Sequence, residues 1–153
     1  FANLWLAWLT ANTCLWMCDV AAAWLMTTLT DRPVIVALVQ TAATLPMFLL
    51  ALPSGALADI VDRRRWAMGT MLWMAAVATL LAMLAGSGAL GVAMLLALVF
   101  ANGVGVAMRW PVFAAIVPGV VARHELPQAL ALHSMAVNAS RVIGHWLASI
   151  WRR

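Results

Sequence analysis

Apolar residues fall into five long blocks separated by short polar stretches, so the chain reads as a series of membrane-length helices. A span needs roughly 20 mostly apolar residues, and the blocks predict spans at about 4–28, 34–58, 66–85, 90–116 and 128–151. The first block stops at Thr30-Asp31-Arg32-Pro33, a polar turn whose proline suits a helix start. The second carries Pro46 and Pro53, which membrane helices tolerate and which tend to kink them. A charged hinge, Gly55-Ala-Leu-Ala-Asp59-Ile-Val-Asp62-Arg63-Arg64-Arg65, precedes the third block. Gly86-Ser87-Gly88 predicts a flexible connection to the fourth, and the polar loop 119–127 opens the fifth. The predicted fold class is all-α, a polytopic membrane helix bundle forming one partial transmembrane domain over 1–153.

Few polar residues interrupt these blocks, and each has a structural and a functional reading. An ionised group at the bilayer centre costs about 2.5–3.5 kcal/mol on insertion scales, so it faces a cavity or a partner. In the fifth block Ser134, Asn138, Arg141, His145 and Ser149 recur at helical spacing and share one face. That face either bonds to neighbouring helices or lines a solvated pathway. Asn12 and Asp19 share a face of the first block with Trp16. Asp19 is suited to pairing with an intramembrane arginine, to carrying a proton, or to a place near the outer interface. Gln40 and Thr44 lie one turn apart in the second block, and Asn102 and Arg109 two turns apart in the fourth. Arg109 lies towards the cytoplasmic end, where snorkelling to headgroups is the plain reading. The third block has only Thr70 and Thr79 as polar residues between Trp66 and Ala85, both able to bond their own backbone. It reads as a lipid-facing helix, while the other four are expected to turn polar atoms towards a hydrated interior. Trp16, Trp24, Trp66, Trp110 and Trp151 read as interfacial anchors.

Composition excludes an ordinary soluble domain. Hydrophobic residues make up 66% of the chain and charged ones 9%, with mean hydropathy +0.99, against roughly a quarter charged in a globular chain. The surplus apolar surface needs lipid. The net charge of +4 rests entirely on arginine. A nucleic-acid partner is not expected, because such a protein presents a basic face on a polar fold. Positive-inside topology explains the bias better: with residues 55–65 and 119–127 in the cytoplasm, Arg63, Arg64, Arg65 and Arg123 all lie inside. Arg152 and Arg153 would then lie outside after five crossings, which together with Phe1 in place of Met leads to the expectation of a fragment. Cys14 and Cys18 are read as small buried apolar residues. No metal site or cofactor is expected, and no intramembrane protease or hydrolase motif is present.

The hinge, with glycine at 55, aspartate at 59 and arginines at 63 to 65, resembles the loop between helices 2 and 3 of the major facilitator superfamily. Further stretches are similar in the same order: Trp16-Met-Cys-Asp19-Val-Ala-Ala-Ala-Trp24-Leu-Met-Thr27, Leu45-Pro46, Gly103-Val-Gly105 to Pro111, Glu125-Leu-Pro127, and Asn138-Ala-Ser-Arg141-Val-Ile-Gly144. The chain resembles the amino-terminal half of such a transporter, in the bacterial branch of enterobactin exporters and transmembrane secretion effectors. It departs at Ile60, where a basic residue is usual, and at Asp62, where glycine is common. It departs also at Val99, in place of an arginine, and after Gly144, where a proline and two glycines are replaced.

The resemblance implies that Gly55, Asp59, Arg63, Arg64 and Arg65 gate the cytoplasmic side during alternating access. The polar residues inside the spans, Asp19, Asn12, Gln40, Asn102, Arg109, Asn138 and Arg141, are the cavity or coupling candidates on their own chemistry. The resemblance implies a non-enzymatic exporter of small molecules in the bacterial inner membrane, proton-coupled, working with a carboxy-terminal half. The alternative is a structural or assembly membrane protein without transport activity.

Overall fold

A computed structural model describes the backbone of residues 2–60, 62–120 and 126–151. Among these, side chains are described except at 2–5, 7–8, 51–52, 55–60, 63, 110–120, 126–127, 129–130, 133, 148–149 and 151. The described residues form five helices and no strand: α1 (Ala2–Leu29), α2 (Pro33–Ile60), α3 (Arg63–Ser87), α4 (Val92–Val120) and α5 (Leu126–Trp151). Three stretches among the described residues are long and apolar enough to cross a membrane, Pro33–Leu50, Arg64–Ser87 and Val92–Arg109. The molecule is a multi-pass helical membrane protein.

The helix ends follow from local chemistry. Pro33 is the first residue of α2, where its missing N–H costs nothing. The Arg32 carbonyl starts the new helix by accepting from the N–H groups of Ile35 and Val36, at 3.0 and 3.3 Å. At the other end of α3 the predicted flexible connection is an ordered cap. The helix continues through Ser87, and Gly88 alone turns left-handed at φ 69°, donating its N–H to the Ala85 carbonyl at 3.4 Å. A side chain would strain that conformation, which is why glycine ends the helix.

The chain divides into two compact units, residues 22–115 and residues 1–21 with 116–153. In the first, a core of Ala22, Met26, Val39, Val77, Leu90, Leu95, Leu98 and Val99 joins the end of α1 to α2, α3 and α4. Outside that core large apolar side chains stay uncovered, among them Phe48, Val34 and Leu49 on α2 and Leu72 and Met83 on α3. Lipid solvates such a surface, so its exposure carries no hydrophobic penalty.

In the second unit the helical face of α5 that is buried differs from the polar stripe. Ala136, Ser140 and Gly144, four residues apart, are buried, while Ser134, Asn138, Arg141 and His145 are exposed. Small residues at this interval let backbones approach closely, the usual device of helix packing in lipid.

Candidate functional site: the arginine junction and two glycine seams

The charged hinge is shorter than predicted. The backbone at Gly55 and Asp59 is helical within α2, and Arg63 opens α3, so only residues 61 and 62 lie between the helices. Side-chain detail at Gly55, Asp59 and Arg63, three of the five residues of the predicted gating motif, lies outside the described residues. Arg64 and Arg65 are exposed. The N-terminus of a helix carries partial positive charge and free N–H groups, so an arginine cluster there is electrostatically uphill. Asp62 offsets it. Its Oδ1 accepts from the backbone N–H of Arg64 at 2.9 Å and of Arg65 at 3.4 Å, and its Oδ2 lies 3.8 Å from Arg65 Nε. Sequence reasoning treated Asp62 as a departure from a family pattern. An acid immediately before a helical run was a readable capping signal.

Within residues 22–115, the two glycines of Gly103-Val-Gly105 hold α4 against two neighbours. A methyl group on Gly103 would stand 2.6 Å from the Ala43 carbonyl oxygen and 3.0 Å from the ring of Pro46, both on α2. One on Gly105 would stand 2.6 Å from Met74 Cγ and 3.0 Å from Trp73 Cδ1, both on α3. The bare backbone at Gly105 leaves the Ala101 carbonyl open from the side, and the Trp73 indole N–H donates to it at 2.8 Å. One heptad away, the Trp66 indole N–H donates to the Met108 carbonyl at 3.2 Å. Trp66, expected to anchor at the interface, therefore also ties α3 to α4. Thr70 and Thr79 behave as predicted and donate to the Ala67 and Ala75 carbonyls, at 3.0 and 2.7 Å.

A second glycine seam joins α1 to α5. A methyl group on Gly144 would lie 2.7 Å from Trp16 Cβ, 3.2 Å from the Thr13 carbonyl oxygen and 3.4 Å from the Met17 nitrogen. Trp16 is halfway along α1, not at a span end, and its ring is flanked by Arg141 and His145 of α5. The guanidinium carbon of Arg141 is 5.9 Å from the ring centroid, within cation–π range. The imidazole of His145 lies 5.9 Å away, tilted by 38°. Asn138 stays exposed and donates from its amide nitrogen to the Ser134 carbonyl at 2.9 Å.

The other predicted residues are dispersed. Asn12 is buried and Asp19 half-buried on α1, and among the described residues Asp19 forms no ion pair with Arg141. Gln40 is exposed on α2, with its carbonyl accepting from the Thr44 hydroxyl at 2.8 Å. Asn102 is half-buried on α4. Arg109, expected to snorkel, is buried, with 4% of its surface exposed. Among the described residues no group of three or more His, Cys, Asp or Glu could hold a metal ion. Cys14 and Cys18 are free thiols, and contrary to the expectation of burial Cys14 is exposed and Cys18 half-buried.

Comparison with curated proteins and with solved structures finds no match in either set. A family does match, and it covers almost the whole chain: the transmembrane secretion effectors, a branch of the major facilitator transporters, over residues 1–151. With apolar helices of spanning length and glycine seams built for close packing in lipid, the chain belongs to the transmembrane secretion effector family of membrane transporters.

Proposed function

We propose that these helices form the amino-terminal bundle of a secondary exporter that moves a small molecule outward through the bacterial inner membrane, coupled to protons. The carrying observation is the division of labour on α5. Its small residues Ala136, Ser140 and Gly144 are buried, while Ser134, Asn138 and Arg141 are left exposed on a helix of a membrane protein. An arginine left uncovered in hydrocarbon is costly, so this face calls for water, cargo or a further protein half.

In this reading Arg141 and Asn138 meet the cargo, and Trp16 holds the Arg141 side chain in place through its ring. Asp19, one turn beyond Trp16 on α1, is the proton-carrying candidate, and Asn12, Gln40, Asn102 and Arg109 are secondary cavity candidates. Residues 55–65 and 119–127 face the cytoplasm, and Asp59 with Arg63 to Arg65 latches that side. Alternating access in this fold rocks two halves about a midplane site, so transport requires a carboxy-terminal half as partner.

The test is accumulation of a panel of small molecules in inverted membrane vesicles. Arg141→Ala is expected to lower accumulation of the exported compound, and Asp19→Asn to remove its dependence on a pH gradient. Activity equal to the parent in both variants would remove these residues from the mechanism. A parent protein that moves nothing on the panel, yet copurifies with a fixed membrane partner, would favour an assembly role.

A further inference from the structure

Between α3 and α4 runs a groove of about 430 Å³, lined by Arg65, Trp66, Gly69, Thr70, Trp73, Val104, Gly105 and Met108. Its polar groups are already committed to the protein. The two indole N–H groups donate to the Met108 and Ala101 carbonyls, and the Thr70 hydroxyl donates to the Ala67 carbonyl. What the groove offers an occupant is ring faces, the bare backbones of Gly69 and Gly105, and aliphatic side chains. Charge stands only at its mouth. Arg65 is 83% exposed there, next to exposed Arg64, with Asp62 as the acid beside them.

We infer that this groove binds an anionic phospholipid, with one acyl chain along α3 and the phosphate at Arg65. The chemistry matches at both ends. Apart from Arg65, the lining side chains keep no free N–H or O–H donor, so a hydrocarbon chain, which needs none, suits the groove better than a polar ligand. The run from Arg65 to Trp73 covers about 12 Å of helix axis, which carries the groove from the headgroup layer into the hydrocarbon. Exposed Arg64 and Arg65 outnumber Asp62 there, so the described side chains leave the mouth net positive, and a basic residue at a membrane surface favours anionic over zwitterionic lipid. The groove lies on α3, which exposes Met68, Leu72 and Met83, so lipid reaches it from the bilayer. This inference needs only membrane insertion and is independent of whether the protein transports anything.

Gly69 supplies a clean test, because a Cβ built there meets nothing within 4 Å. Gly69→Leu therefore places a branched side chain in the groove from a Cβ that meets no neighbour. The full chain, purified from mixed phosphatidylglycerol and phosphatidylcholine vesicles, is weighed by native mass spectrometry to read retained lipid. The parent is expected to retain phosphatidylglycerol about fivefold over phosphatidylcholine, the preference that one basic residue supplies. Arg65→Gln is expected to abolish that preference while keeping a bound lipid, and Gly69→Leu to lose the bound lipid of either kind. Circular dichroism controls for folding, and Arg65→Gln alters only an exposed side chain. Retention of both lipids in equal amounts by the parent would overturn the anionic assignment. Undiminished retention in Gly69→Leu would overturn the groove.

Discussion

The α3–α4 pair and the α1–α5 pair are built on the same device and treat their polar atoms in opposite ways. In both, a glycine lets a tryptophan-bearing helix close on its neighbour: Gly105 under Trp73, Gly144 under Trp16. On α3 the indole N–H groups are consumed by backbone carbonyls of α4, and the outward surface is greasy. On α5 the seam is flanked by Asn138, Arg141 and His145, all exposed. In hydrocarbon a polar group left over after packing is expensive, so a helix that keeps several of them does so for a partner other than lipid. A seam that uses up its polar atoms is scaffold, and a seam that leaves them out is where cargo or water is to be sought.

That contrast breaks most sharply at the glycines. Gly103→Ala drives a methyl group into the Ala43 carbonyl, a backbone atom that cannot step aside, whereas Gly105→Ala meets chiefly the flexible end of Met74. We expect Gly103→Ala to cost about 2–3 kcal/mol and Gly105→Ala less, towards the lower end of the usual overpacking range, measured by thermal or denaturant unfolding in detergent. Equal losses would mean that α2 and α3 yield alike. Next comes the junction. Asp62→Ala removes the cap from beneath the arginine cluster and is expected to cost about 1 kcal/mol, with hydrogen exchange rising at the amides of residues 64 and 65. Smaller is Trp73→Phe, which keeps the ring and deletes one indole bond for about 0.6 kcal/mol, the average for polar contacts between membrane helices; export should be untouched. Smallest in stability is Arg141→Gln, about 0.5 kcal/mol for an exposed cation–π contact, yet it should depress export the most. If Trp73→Phe and Arg141→Gln changed stability and export in the same ratio, the distinction between the two seams would fail.

Much of the architecture was legible along the chain. Block lengths located all five helices to within about four residues at each end, because a switch from apolar to charged residues is a strong signal at a membrane boundary. Thr70 and Thr79 bonded where their isolation in α3 said they would. The buried face of α5 was not legible. Its polar stripe was visible, but Ala136, Ser140 and Gly144 look as unremarkable as any other small residues, and in lipid hydrophobicity does not separate inside from outside. Trp66 does more than the anchor reading gave it, for a related reason. An indole suits an interface and also a carbonyl on a neighbouring helix, and sequence alone does not say whether Gly105 has bared one. Arg109 fell to the same ambiguity: its place near a span end suggested headgroups, and it is buried in the protein instead.

The two indole bonds have a mechanical consequence. They stand seven residues apart on α3 and seven apart on α4, like two rivets through a pair of struts. Sliding one strut by a single residue, about 1.5 Å, would strain both rivets together. A rearrangement that slides α3 along α4 therefore gives up both bonds at once.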